Sequence, residues 1–246
     1  ISGYLLDLDG IQFHFDHGLR EVEAIPSAGC PADLVPTLTW GLALSTLLTL
    51  AGEFVLHASA VAQNDRAVLF VGPRGGGKSS LAAGLVCCGW SLLADDVVRV
   101  SHADGEAIAH RGSLELRLRP FAASLANVLG PLGLRETADQ RVAVVPGAVW
   151  QRATAGVAAV VSPKFVPSER ISARILHGKE AVSLLLSAVR VGTWHGTDIP
   201  RRQLAHTTRL ARSTLVLEIE IPWREHADLP LFREAARVIE TSLNAR

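Results

Sequence analysis

Gly72-Pro73-Arg74-Gly75-Gly76-Gly77-Lys78-Ser79 fits the phosphate-binding pattern G-x-x-x-x-G-K-[ST] at every fixed position. Its flanks are the ones that pattern requires. Ala67-Val68-Leu69-Phe70-Val71 is apolar and β-prone, and Ser80-Leu81-Ala82-Ala83-Gly84-Leu85-Val86-Cys87-Cys88 reads as a helix stopped by Gly89. Strand, glycine loop and helix in this order predict an α/β fold of the P-loop type. The glycines let successive backbone N–H groups turn inward as an anion nest, and the helix N-terminus adds roughly half a positive charge. Lys78 is expected to reach the β- and γ-phosphates of a nucleotide, and the Ser79 hydroxyl to ligate Mg²⁺.

Outward from the loop, composition sets bounds. The 246 residues suffice for one α/β domain with a sizeable core. Lys and Arg number 24 and Asp and Glu 24, so no global field favours nucleic acid or an anionic membrane. No Arg–aromatic interleaving points to nucleic acid either. Three cysteines without metal-ligand spacing make a reducing, cytoplasmic setting the expectation. The sequence begins at Ile1 and holds no methionine, so it does not display a translational start. Leu34 to Gly52 carries no charge, but Pro36 is read as interrupting it. The remaining helical part, Trp40 to Ala51, has the length of a buried helix rather than of a membrane span.

Local signals predict several elements. Asp9-Gly10 reads as the turn of an N-terminal hairpin, Asp104-Gly105 as that of another, and Gln63-Asn64-Asp65-Arg66 as the turn into the loop strand. Glu53 to Val61 reads as one strand, Trp90 to Ala94 as the strand after the loop helix, and a final amphipathic helix begins near Leu229-Pro230.

Asp95-Asp96 closes the strand after the loop helix, with Asp95 16 residues beyond Ser79. That interval is short for a motor-type ATPase and suits a kinase whose next strand brings a carboxylate to the acceptor hydroxyl. Read as neighbours on an extended strand, the two acids should point opposite ways. His57 lies in the strand before the loop; alone, a histidine there reads more readily as a core residue than as a catalyst. Taken together, His57-Ala58-Ser59-Ala60-Val61, Val68-Leu69-Phe70-Val71-Gly72, Lys78-Ser79 and Leu92-Leu93-Ala94-Asp95-Asp96 resemble the catalytic domain of HPr kinase/phosphorylase. The likeness is greater still to its shorter relatives, some of them associated with peptide-tailoring clusters that include lasso peptides. It is carried by residues 54–100.

The resemblance implies a P-loop kinase with a mixed-sheet core of the HPr-kinase and PEP-carboxykinase type. Residues 1–53 would form a β-rich flap plus helix, 54–120 the nucleotide-binding core and 121–246 a C-terminal α/β part of a single domain. It implies ATP and Mg²⁺ as cofactors, held by Gly72, Gly75, Gly76, Gly77, Lys78, Ser79 and Ser80. Asp95 would be the base toward an acceptor serine, with Asp96 and His57 supporting base and metal; Ser79, Asp96 and Glu115 would be the metal-facing set. The acceptor would be a Ser or Thr hydroxyl of a peptide or small protein, with a lasso-type peptide as the narrower expectation. A homo-oligomer stays open.

Leu114-Glu115-Leu116-Arg117-Leu118-Arg119 alternates strictly, and Glu115-Leu116-Arg117 matches the family's Glu-x-Arg. Leu118-Arg119-Pro120 replaces the glycines that follow it there, which argues against reverse phosphorylase activity. Arg74 departs from the small or acidic residue more usual in the loop. Trp194 to Asp198, with His195, reads as a loop near substrate; Arg201 and Arg202 read as a phosphate clamp or as a solvated helix start. Two other functions fit the same residues: a small-metabolite kinase, and a nucleotide-binding regulatory module without phosphoryl transfer.

Overall fold

The computed structural model describes residues 3–137, 140–191 and 198–245. Strands β1 (Gly3–Leu8) and β2 (Ile11–Asp16) form the N-terminal hairpin. Its two turn residues, Asp9 and Gly10, have φ of 48° and 81°, the twist a two-residue hairpin loop needs. With β3 (Val22–Pro26) they make a three-stranded sheet whose alternate residues Ile11, Phe13 and Phe15 are fully buried. These pack with Leu34, Val35, Leu38, Ala43 and Leu47 of the uncharged segment, a small core separate from the main one.

That segment is helical throughout, as α1 (Leu34–Leu38), a π-helical turn (Thr39–Ala43) and α2 (Leu44–Leu50). Pro36 does not interrupt it. It sits in the first turn of α1, where a missing N–H costs nothing. Two of the hydroxyls that dilute this apolar stretch bond back to carbonyls one turn earlier, Ser45 to Gly41 and Thr49 to Ser45, each at 2.7 Å, while the buried Thr46 Oγ1 has no hydrogen-bond partner among the described residues. Among the described residues no helix is long and apolar enough to cross a membrane.

The main sheet is mixed and curled. The single strand expected over 53–61 is broken at His57 into β4 (Phe54–Leu56) and β5 (Ala58–Gln63). β5 turns through Asn64 and Asp65, both at positive φ, into β6 (Arg66–Val71). After the glycine loop come α3 (Lys78–Val86), β7 (Ser91–Ala94), and the hairpin β8 (Val98–Ala103) and β9 (Glu106–His110). A second three-stranded sheet is inserted next: β10 (Leu116–Leu118), the short helices α4 (Pro120–Ala123) and α5 (Leu125–Val128), then β11 (Gly133–Glu136) and β12 (Val142–Val145). The chain returns as β13 (Thr154–Val166), β14 (Ser172–Ile175), α6 (Gly178–Ser187), α7 (Ile199–Ser213), β15 (Leu215–Pro222) and α8 (Leu229–Asn244).

The strand order is β4-β8-β9-β13-β6-β5-β7, with β15 also on β13 and β14 on β15. β6, β13 and β15 are mutually parallel where they pair, and the other pairings are antiparallel. Alternation along β6 feeds two cores. Val68 and Phe70 join the layer with α3 and α8, while Ala67, Leu69 and Val71 join the layer with α6 and α7. A strand covered on both faces reads as a continuous apolar run, which is how 67–71 reads. In the first layer α3 and α8 approach closely at Gly84, where an added Cβ would lie 2.2 Å from the ring of the fully buried Phe232. Gly84→Ala is therefore expected to destabilise by about 1–3 kcal/mol, overriding the roughly 1 kcal/mol that alanine gains in a helix. Urea unfolding reads the sign directly.

Candidate functional site

β6 delivers the chain to the glycine loop at the C-terminal end of three parallel strands. Gly72, Gly75 and Gly77 have φ of 142°, 84° and 86°. Gly77 is constrained twice, since a Cβ there would also fall 2.2 Å from Cε2 of Phe165. α3 starts immediately after it, and the first N–H groups of that helix have no partner within the helix. Lys78 is buried, and its Nζ donates to the carbonyls of Gly72 at 3.0 Å and Pro73 at 3.1 Å. Burial lowers its pKa, against the opposing pull of Asp95 and Asp96.

The two aspartates differ in a way strand alternation did not anticipate. Both lie just past β7, which ends at Ala94; Asp95 is 3% exposed and Asp96 has φ of 67°, so their divergence comes from a left-handed residue and not from the pleat. Asp95 accepts a hydrogen bond from Ser59 Oγ at 2.5 Å and from Ser79 Oγ at 3.0 Å. Burial pushes its carboxyl up to about 6, opposed by those hydroxyls and reinforced by the charge of Asp96. The Asp96 side chain remains 42% exposed. Its Oδ1 lies 3.3 Å from His57 Nε2 and its Oδ2 accepts from Arg190 at 2.9 Å. Burial would raise its pKa, but the His57 hydrogen bond and the Arg190 charge hold it below the usual carboxylate range.

The break at His57 builds this arrangement. His57 N–H donates to Ala188 O and Arg190 N–H donates to Val55 O, clamping the segment after α6 against the end of β4. That clamp brings Arg190 across to Asp96. Arg190→Ala is expected to raise the Asp96 pKa, a shift that carboxyl-carbon NMR titration would show.

These groups line a cleft of about 260 Å³. Thr37, Leu38 and Leu42 of the N-terminal helical segment form one wall, and Arg117 donates to Thr37 Oγ1 across it. Lys78, Arg74, Arg117, Arg119, Arg141 and Arg190 face it against only Asp95 and Asp96, so the cleft is strongly cationic although the chain is neutral. His57, Ser79 and Ser80 also line it, with Gly75 and Gly77.

Glu115 does not line the cleft. The alternation of Leu114 to Arg119 holds, with Leu116 and Leu118 fully buried, but the Glu115 carboxylate accepts from Arg135 at 2.9 and 3.1 Å. Arg201 and Arg202 are not lining residues either. They lie in the first turn of α7, where Arg202 pairs with Asp198 at 3.2 Å. His195 lies outside the described residues. Six cleft residues have no site role in the sequence reading: Thr37, Leu38, Leu42, Ser59, Arg141 and Arg190. Ser59 carried a weak signal, since it lies in the same segment as His57, two positions on. Arg190, 94 residues beyond Asp96, carried none.

A divalent cation fits the Ser79–Asp95 pair. Two hard oxygen ligands stand together, and the buried Asp95 carboxylate takes hydroxyl and backbone hydrogen bonds and feels the charge of Lys78, whose ammonium is bonded to the loop carbonyls. No three His, Cys, Asp or Glu side chains among the described residues form a metal-holding group. Mg²⁺ needs no such cage, because substrate phosphates and water complete its shell.

No family model matches the chain, and no curated protein matches it. Among solved structures, the Hpr(Ser) kinase/phosphatase from Coxiella burnetii is similar at 17% sequence identity and a TM-score of 0.39, over 76% of this chain and 95% of that one. A likeness of that size leaves activity and site residues to be argued from the geometry.

Proposed function

We propose that the protein is an ATP-dependent kinase that transfers the γ-phosphoryl group to a Ser or Thr hydroxyl of a peptide or small protein. One observation carries this reading. At the mouth of a glycine loop, one carboxylate is buried against the loop serine while its neighbour is held open to the cleft. Nucleotide binding alone would need the first and not the second.

In this reading the glycine loop and the N-terminus of α3 cradle the phosphates, and Lys78 swings from the Gly72 and Pro73 carbonyls onto the β- and γ-oxygens. Ser79 and Asp95 would hold Mg²⁺, whose charge would offset that of the phosphates. Asp96 is the residue an acceptor can reach, and His57 and Arg190 fix its orientation. The acceptor oxygen bonds to phosphorus as the bond to the β-phosphate oxygen breaks; the hydroxyl proton passes to Asp96 Oδ and ADP leaves. Geometry thus favours Asp95 on the metal side and Asp96 on the acceptor side, the reverse of the allocation the family resemblance implies. The surplus of cleft arginines matches a triphosphate and its transition state. A lasso-type peptide is the narrower acceptor we put forward, on the resemblance of residues 54–100.

The test is incubation with Mg-ATP and the host's peptide and small-molecule extract, followed by mass spectrometry for species that gain one phosphate. A phosphorylated peptide, absent with Asp96→Asn, is the expected result. A phosphorylated metabolite would replace the peptide acceptor, and nucleotide binding with no acceptor in any extract would favour a regulatory module.

A further inference from the structure

The glycine loop takes phosphates and leaves the rest of a nucleotide without a seat. In sheets with parallel strands, ligands lie beyond the carboxyl ends of those strands. β13 runs past the end of β6 here: Val161 pairs with Phe70, so Pro163 to Val166 continue beside the loop, and β15 ends level with them, Pro222 opposite Val166. These two strand ends present aromatic side chains. The Phe165 ring lies against Gly77. Phe121 of α4 meets Phe165 edge-on with centroids 5.6 Å apart, and Trp223 stacks on Phe121 at 5.6 Å with planes 19° apart. The backbone on either side is pinned, since Trp223 N–H donates to Val166 O and Ala227 N–H donates to Phe121 O.

Trp223 is nevertheless 57% exposed. A fixed, solvent-facing indole at the end of an aromatic row that starts at the phosphate loop is placed to stack a base. We infer that Trp223, backed by Phe121 and Phe165, is the platform for the purine ring of the nucleotide. The inference rests on the nucleotide-binding part of the proposed function and adds the site that holds the base. Stacking recognises the π-face and not the base edge, so this platform supplies affinity with little choice among purines.

Calorimetric titration of Mg-ATP and of Mg-tripolyphosphate, which has the phosphates without the base, tests it in the wild type and in Trp223→Ala. The exposed position makes folding of the variant secure, and a melting curve checks it. Trp223→Ala is expected to lose roughly five- to a hundredfold in ATP affinity while keeping its affinity for tripolyphosphate. Equal ATP affinity in the two proteins, or an equal loss for both ligands, would overturn the platform and leave the kinase reading standing. A wild type that binds neither ligand would overturn both.

Discussion

Asp95→Asn is expected to lower phosphoryl transfer by about a thousandfold and, at the same time, to make the metal-free protein harder to unfold. The first effect follows, on the proposed function, from removing the charge that would face Mg²⁺ beside Ser79. The second follows from burial. The Asp95 pKa stands at about 6 in the folded protein against 3.8 for the free side chain, so the folded state binds this proton more tightly than the unfolded chain does. Ionised Asp95 therefore costs stability above pH 6, the cost shrinks as pH falls from 6 to 4, and it is gone below 4. The gap of pKa corresponds to at most ~3 kcal/mol. Asparagine keeps an acceptor for Ser59 and carries no charge, so the variant should melt higher by several degrees at pH 8 in the presence of a chelator. The advantage should vanish near pH 4. A variant less stable than wild type at pH 8 would show that Asp95 is paired with a cation in the folded protein. Asp96→Asn should behave differently, with turnover lost and Mg-ATP binding kept.

Lys78→Met is expected to reduce turnover by about a hundred- to a thousandfold and to weaken ATP binding, with stability changed by less than about 1 kcal/mol. Lys78 is buried and desolvated in the free protein, holding two loop carbonyls, and its ammonium pKa is lowered by that burial. A folded pKa below the unfolded value means that the charged lysine is a burden on the fold at neutral pH, which offsets the two hydrogen bonds lost. Steady-state kinetics paired with urea unfolding separates the catalytic loss from any structural one. A variant that unfolds easily would mean that Lys78 holds the loop together and need not touch phosphate.

What was legible in the sequence was local. The conformation of the glycine loop is legible because its requirements, positive φ at Gly75 and Gly77 and a helix start at Lys78, are written in consecutive residues. The Asp9-Gly10, Asn64-Asp65 and Asp104-Gly105 turns are legible for the same reason. The cleft depends on contacts across the chain, and there the reading thinned. Asp96 reads as a strand residue because the Asp95-Asp96 pair follows an apolar run directly, with no glycine beside it to mark a turn, although aspartate is one of the residues that adopts positive φ, as Asp9, Asp65 and Asp104 also do here. The break at His57 is stabilised by Ala188 and Arg190, far along the chain. Pro36 reads as a breaker because its distance from the helix start decides its effect, and the sequence does not fix that start. A motif match points Glu115 toward a metal, whereas in the structure it pairs with Arg135 on the inserted sheet.

Phosphoryl transfer to a hydroxyl makes one phosphoester for each ADP released, and measuring both products in one reaction tests the account most directly. The wild type, given Mg-ATP and a serine-bearing peptide fraction from the host, is expected to form acid-stable phosphoserine or phosphothreonine in equal number to ADP. ADP accumulating with inorganic phosphate and no phosphoester in any fraction would contradict it, since the open carboxylate of Asp96 would then be serving water and not an acceptor.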